Sequence, residues 1–422
     1  MAARNTALSK IKGFFKILGP GLITGASDDD PSGIATYSQA GAQFGLATLW
    51  TAFITFPLMA AIQEMCARIG VVTSQGLTST IRNHYPKPIL YLMILFTFPA
   101  VILNIGADIA GMGAVANLIF PSVPSFFFTI GFTAILMVLI IYLPYQKIAA
   151  VLKYLCLFLL LYLIVPFLST QNWADIAKHS FIPTIHFDKD YLSILVALLG
   201  TTISPYLFFW QATMEAEDVQ HKKKALIVNK RVIEKMDWDV DLGMLFSNIV
   251  MFFIILTAGT VLFKGGIHHI NTVEQAAKAL DPLAGKLSYL LFAIGILGTG
   301  FLAIPVLSGC LSYIVSETFG WDGGLDKKYY QAKPFYLVVI VSLLIGLGIN
   351  YIGISPVKAL IYTAILYGLT SPVLIAVILH IGNNKKVMKE FRNGPWSNLL
   401  GILTLTLMTA AAGVLIYFQF AR

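Results

Sequence analysis

Three consecutive carboxylates interrupt the first long apolar stretch of the chain. Residues 25–36 read GASDDDPSGIAT, so Asp28, Asp29 and Asp30 stand directly before Pro31. A charged side chain at the depth of a bilayer is costly, and it faces water, an ion or a partner rather than lipid. Because proline lacks an N–H and keeps the preceding residue out of helical geometry, we predict a helix break at about 27–31. The acids would then lie between two half-helices.

A second interruption occurs in a later apolar stretch. Residues 198–218 read LLGTTISPYLFFWQATMEAED, in which polar residues lead into Pro205. Paired interrupted helices at matching positions of two halves are the best sequence sign of a transporter site at the bilayer midplane. Irregular backbone at that depth persists only where it lines a cavity. Its free carbonyl groups and a carboxylate make an oxygen-rich site for a small cation, which is either the substrate or the coupling ion of an organic solute.

Several polar side chains are candidates for this site. Asp30 is the first candidate ligand, and Asp29 is either a second ligand or part of a solvated vestibule or helix end. Tyr206 lies near the second break by its position in the chain. Gln211 and Glu215 share one face of the following helix, which either lines the ion exit or is a solvated helix end.

The elements that must position these residues are membrane-spanning helices. The chain has 422 residues, 57% of them hydrophobic and 12% charged, with a mean hydropathy of +0.78. Apolar runs of about twenty residues, which is the length that crosses a bilayer, predict about eleven spans with bounds uncertain by a few residues. Their predicted bounds are 14–44, 47–70, 89–119, 125–144, 149–168, 191–214, 241–263, 285–316, 334–352, 357–381 and 397–419. Asp108 is in the middle of the third, where it either serves the ion path or is an internally hydrogen-bonded acid.

These spans predict an all-α membrane protein with a LeuT-type 5+5 inverted repeat, in which spans 1 and 6 are broken. We expect one transmembrane domain over 1–422, with repeat one at about 14–168, repeat two at about 191–381 and an extra helix at about 397–419. Most of the 29 lysines and arginines fall on the side of the N-terminus. The positive-inside rule then predicts a cytoplasmic N-terminus, an external C-terminus and a multi-pass location in the plasma membrane. The net charge of +8 is attributed to this topology rather than to nucleic acid.

The first broken segment resembles the first helix of the Nramp family of divalent metal transporters. Residues 19–45, GPGLITGASDDDPSGIATYSQAGAQFG, keep that family's Gly-Pro-Gly, Asp-Pro, Ala-Thr, Gln-Ala-Gly and Gln-Phe-Gly in register. Residues 62–77, IQEMCARIGVVTSQGL, are similar to its second span. The resemblance implies a metal held by Asp30, by an asparagine three residues later, and by a methionine and a backbone carbonyl of the sixth span.

The sequence departs from this pattern at the ligands. Gly33 stands in place of the asparagine and Ser204 in place of the methionine, while the carbonyl ligand falls at Thr201. Without the soft thioether the site contains only oxygen ligands and has room for retained waters, which favours a hard ion such as Mg²⁺. The chain is therefore similar to a remote, magnesium-transporting branch of the family.

Proton coupling is expected to be weak or absent. Tyr206 and Gln211 replace two histidines that the resemblance implies, Ile105 replaces the first acid of a pair in span 3, and span 9 contains no arginine. Histidine titrates near neutral pH, whereas tyrosine does so near about 10.

Other functions remain open on the sequence. They are an ion-coupled transporter of a small organic solute, a proton-coupled Mn²⁺/Fe²⁺ transporter like typical family members, and a transport-inactive sensor or scaffold. No nucleotide loop, GxSxG elbow or HExxH pair is present, so we expect no enzyme. We expect the divalent ion and the lipid bilayer as partners, with no cofactor, no nucleic acid and no obligatory protein partner.

Overall fold

The computed structural model describes residues 19–144, 147, 157–168, 170–221 and 228–420. Within these ranges every regular element is a helix, which confirms the predicted all-α class. The first nine helices are α1 Pro20–Asp28, α2 Pro31–Phe44, α3 Trp50–Thr73, α4 Leu77–His84, α5 Lys87–Ile119, α6 Ser125–Tyr142, α7 Trp173–Phe181, α8 Lys189–Thr202 and α9 Pro205–His221. The others are α10 Lys230–Ala258, α11 Val273–Ala277, α12 Asp281–Ala284, α13 Ser288–Phe319, α14 Lys333–Ile349, α15 Pro356–Asn383, α16 Lys385–Met388 and α17 Pro395–Phe420.

Eight of the described helical segments are long and apolar enough to cross a membrane, with the broken α8–α9 pair counted as one. The other predicted spans correspond to the α1–α2 pair, to the shorter α14 and to 149–168. Much of 149–168 lies outside the described residues, and its described part forms the 3₁₀ helices Leu157–Leu163 and Val165–Phe167.

One predicted span begins within a longer helix. The seventh span was expected to begin at about 241 after a charged and partly helical connection, and α10 begins at Lys230. Asn229 caps it by accepting a hydrogen bond from the N–H of Val232. The first turns of α10 are charged, and a helix continues past the apolar layer whenever its backbone groups are satisfied. Hydropathy therefore detected only the apolar part of this helix.

The interior of the protein is built around α2. This half-helix packs against α5, α8, α10 and α15, and α1 packs along α10. The contact of α1 with α10 is backbone against backbone, since a Cβ added to Gly25 would clash with the carbonyl of Gly243. By contrast, α6 and α17 are mostly exposed in the isolated chain, and their outward side chains are apolar. These are the faces that lipid would cover.

Candidate ion-binding site

The first break falls at the acidic residues, as predicted. Helix α1 ends at Asp28, and Asp29 is its C-cap. Asp30 has extended geometry (φ −72°, ψ 173°) and is the N-cap of α2, because its Oδ1 accepts a hydrogen bond from the N–H of Gly33 at 2.7 Å. Pro31 at the first helical position needs no hydrogen-bond partner there. The sequence Asp-Pro thus stops one helix and starts the next.

The second break lies beside the first. Helix α8 ends at Thr202 and α9 begins at Pro205, which leaves Ile203 and Ser204 between them. The hydroxyl of Ser204 donates to the carbonyl oxygen of Thr201 at 2.6 Å. A Cβ on Gly33 would be 3.4 Å from both the Thr201 Oγ1 and the Asp28 carbonyl oxygen. The two interrupted helices therefore meet at these residues.

Two further helices, α5 and α15, contribute polar side chains beside Asp30. The Nδ2 of Asn104, from α5, donates to Asp30 Oδ2 at 2.8 Å. The Oδ1 of Asn104 accepts from Thr363 of α15 at 3.1 Å. Asn104 was not identified from the sequence. Its signal was a polar amide within an apolar span, one helical turn before Asp108.

Asp28 and Asp29 converge on one hydroxyl group. Ser247 of α10 is 2.7 Å from Asp28 Oδ2 and 3.2 Å from Asp29 Oδ1. The remaining oxygen atoms, Asp28 Oδ1 and Asp29 Oδ2, are buried and have no hydrogen-bond partner within the described part of the chain. A single hydroxyl proton serves only one carboxylate at a time. Neither acid is a solvated vestibule group, since both are at most 1% exposed.

Among the described residues, no basic side chain forms an ion pair with these acids, Asp28, Asp29 and Asp30. Buried charges without a partner are strongly unfavourable, so the group requires a cation or protons to balance it. No three His, Cys, Asp or Glu side chains converge as metal ligands among the described residues, and a bound cation would also need amides, carbonyls and waters.

The other sequence candidates lie around this junction. Tyr206 directs its hydroxyl to the carbonyl oxygen of Ser27 at 3.0 Å and so holds the end of α1. Gln211 accepts a hydrogen bond from Thr24 of α1 and donates one to Glu215 at 3.0 Å. Glu215 is 5% exposed, so this face of α9 is packed against α1 rather than solvated. These contacts join α9 to α1 on the N-terminal side of the break.

Asp108 is fully buried on α5. It lies within electrostatic reach of Asp30 and beside the start of α2. Asp108 therefore lies next to the junction, whether it serves the ion path or is an internal acid.

Contacts on two sides fix the helices that flank the junction. Near α2, the N–H of Ile270 donates to Gln39 Oε1 at 2.9 Å, which holds the loop before α11 against α2. Ile270 lines both an open cavity of about 870 Å³ and an apolar void of about 20 Å³ that borders Pro31. On the N-terminal side, Asp239 of α10 accepts hydrogen bonds from the N–H groups of Gly19 and Gly21 at 2.9 and 2.7 Å, which fixes α1.

Known proteins share both the sequence pattern and the fold. The family model "Natural resistance-associated macrophage protein-like" (Nramp) matches residues 21–418. A divalent metal cation transporter MntH of Caldanaerobacter subterraneus is 25% identical over 416 residues, covering 97% of this chain and 94% of its own length. The MntH of Bacillus subtilis is 23% identical over 417 residues, with 97% and 94% covered.

Solved structures agree with this assignment at the level of the fold. A crystal structure of the Eremococcus coleocola manganese transporter superposes with a TM-score of 0.76 at 19% identity, covering 97% of this chain and 88% of that one. Mhp1, a nucleobase-cation-symport-1 family transporter, superposes with a TM-score of 0.54 at 13% identity, covering 94% and 92%. The protein is an all-α membrane protein with the LeuT-type fold, and the chain belongs to the Nramp family.

Proposed function

We propose that this protein moves a hard divalent cation, Mg²⁺ and/or Mn²⁺, across the plasma membrane by alternating access. The observation that carries the proposal is Asp30, which is buried between two helix breaks and has no ion-pair partner in the part of the chain that the structure describes. A divalent ion neutralises carboxylates where no lysine or arginine does. The names of the MntH relatives, divalent metal cation transporters, support the same substrate class.

The ligands at the junction would be oxygen atoms. Asp30 supplies a carboxylate, Asp29 lies beside it, and Thr201 and Ser204 bring a carbonyl and a hydroxyl group from the second break. An all-oxygen set suits hard ions, and Mg²⁺ retains several waters. The names of the MntH relatives, divalent metal cation transporters, favour a metal ion over an organic solute as the cargo.

The remaining residues would serve the ion path. Asp108 is next to the junction, and Tyr206, Gln211 and Glu215 line the contact between α9 and α1 that must open on the N-terminal side. The distribution of basic residues supports a cytoplasmic N-terminus and an external C-terminus. We further propose one transmembrane domain of two five-helix repeats and an extra helix.

Uptake into proteoliposomes tests the function. We expect purified protein to admit Mg²⁺ or Mn²⁺, reported by an enclosed dye, with less Ca²⁺ entry. Asp30→Asn keeps the shape and an oxygen for the N–H of Gly33 but removes the charge, so it should abolish uptake. Asp322→Asn, in the exposed pair with Lys327, is the matched control and should transport normally.

Three results would contradict the proposal. Undiminished flux in Asp30→Asn would remove the site assignment. Flux of Mn²⁺ that requires a pH gradient, with Mg²⁺ excluded, would contradict the hard-ion preference. Retained metal binding without flux in any gradient would identify a sensor rather than a transporter.

A further inference from the structure

We propose that Asn104 is a direct ligand of the transported cation, and that its side-chain amide turns over when the ion enters. The inference rests on the proposed function of Asp30 as the ion-binding acid. It assigns the amide oxygen that the first broken helix lacks, since Gly33 has no side chain. In this arrangement the amide comes from α5, on another side of the ion.

The position of Asn104 suits a ligand. It is completely buried, and its amide lies between Asp30 Oδ2 at 2.8 Å and the Thr363 hydroxyl at 3.1 Å. The Nδ2 faces Asp30 and donates a hydrogen bond to its carboxylate. A cation on Asp30 Oδ2 competes with that N–H group, because both need the same lone pairs. Carbonyl oxygens of asparagine are common ligands of hard divalent ions.

Rotation of the Asn104 amide leaves both its oxygen and its nitrogen atom with a partner. After a half-turn, Oδ1 faces the cation and Nδ2 faces Thr363. The Thr363 hydroxyl is already 2.7 Å from the carbonyl oxygen of Leu360 and can donate its proton there, which frees a lone pair to accept from Asn104. Ser32 also lies 2.7 Å from that carbonyl and 3.0 Å from Thr363. No buried polar group loses its partner in the exchange.

Two substitutions at position 104 separate the role of an oxygen ligand from the role of a hydrogen-bond donor. Asn104→Asp keeps an oxygen ligand but loses the amide N–H donor, whereas Asn104→Leu keeps roughly the volume and loses both. We would titrate the purified full-length chain with Mn²⁺ and with Mg²⁺ by calorimetry at pH 8. We expect Asn104→Leu to weaken binding by about 10–100-fold, a range typical of lost metal-supporting groups, and Asn104→Asp to bind at least as tightly as the unchanged chain. If Asn104 only orients Asp30 through its donated hydrogen bond, both variants weaken binding, and the proposal fails.

A relocated amide gives an independent test. A Cβ on Gly33 would meet its neighbours at 3.4 Å, which is ordinary contact, so an asparagine can be accommodated there. Gly33→Asn combined with Asn104→Leu should recover most of the lost affinity. Thr363→Val, which removes the acceptor of the turned amide, should weaken binding less than Asn104→Leu does. No recovery in the double variant, or unchanged affinity in Thr363→Val, would count against the proposal.

The controls separate this inference from the proposed function. Each variant is first compared by its melting temperature in detergent. If Asn104→Leu does not fold, the test rests on Asn104→Asp and Thr363→Val. Weakened metal binding in Asn104→Asp together with unchanged metal binding in Thr363→Val would overturn the ligand role. Normal binding by Asp30→Asn would refute the proposed function itself. Lost binding in Asp30→Asn together with normal binding in Asn104→Leu would refute only the role of Asn104.

Discussion

Ser204 is the residue that we expect to set the chemical hardness of the second break. Its hydroxyl is buried, 2% exposed, and donates to the carbonyl oxygens of Thr201 and Gly200 at 2.6 and 3.2 Å. The serine thus ties down the end of α8 and also places a hard oxygen atom at the junction. Hard oxygen ligands prefer Mg²⁺ and Mn²⁺, whereas sulfur ligands prefer softer ions.

Changing this atom to sulfur should change the ion preference. Ser204→Cys preserves the size of the side chain and supplies a thiol. We expect the affinity for Cd²⁺, relative to Mg²⁺, to rise by about tenfold or more, which is ~1.4 kcal/mol. Competition binding of the two ions measures this ratio.

The control for that experiment is another buried serine. Ser180→Cys replaces a hydroxyl that donates to the carbonyl oxygen of Ile176 on the short helix α7. This variant should leave the Cd²⁺ to Mg²⁺ ratio unchanged. An equal ratio in both variants would mean that Ser204 does not face the ion.

Helix α1 is the element best placed to open the N-terminal side. It is only nine residues long, and specific side-chain contacts hold both of its ends. Asp239 caps its first turn, Tyr206 and Gln211 hold its later residues, and its glycines allow direct backbone contact with α10. A short rigid segment with such discrete contacts suits hinged opening.

Removal of the Asp239 carboxylate should loosen α1. Asp239→Ala deletes two hydrogen bonds to a charged acceptor, each worth about 1.5–3 kcal/mol in mutational series. We therefore expect the amides of residues 19–28 to exchange hydrogen at least about 100-fold faster in the variant, as measured by mass spectrometry. The other peptides of the protein should change little.

Asp237→Ala is the matched control for this change. Asp237 lies two residues earlier on α10 and contacts Arg68 at 3.5 Å instead of α1. Its removal should not affect exchange in α1. Equal exchange rates in Asp239→Ala and in the unchanged protein would show that the cap does not hold the closed arrangement.

At the scale of the whole molecule, the buried acidic junction lies between the loop at Ile270 and helix α1. Under the proposed alternating access, an ion would cross only if the contacts on these two sides open in turn, and its charge would cross the membrane potential with it. The potential contributes ~4.6 kcal/mol for a divalent ion per 100 mV, which suffices for uptake without a proton gradient.

Transport should accordingly be driven by voltage and leave the pH unchanged. An inside-negative potassium diffusion potential should accelerate Mg²⁺ or Mn²⁺ uptake into proteoliposomes, while an enclosed pH dye reports no acidification. Collapsing the potential with a potassium ionophore in equal potassium is the control. Acidification in proportion to metal uptake would demonstrate proton coupling despite Tyr206 and Gln211 at the expected histidine positions.

The sequence by itself determined the broken helices and the acid between them. Proline and consecutive aspartates act on their own neighbours, so Asp30 and Pro31 specify a helix end and a helix start wherever they lie in the fold. Hydropathy likewise identified most spans, because lipid imposes a fixed apolar length. It failed at the start of α10, where charged turns continue the helix beyond the apolar layer.

Only the tertiary structure decided what surrounds the acids. Asn104, Ser247, Thr363 and Asp239 come from three other helices, and each is more than 70 residues from its partner in or beside the first broken helix. Helix packing determines these contacts. No local sequence pattern specifies which polar atoms of two different spans lie opposite each other. For the same reason, whether Tyr206 and Gln211 face the ion or α1 was undecided until the helices were placed together.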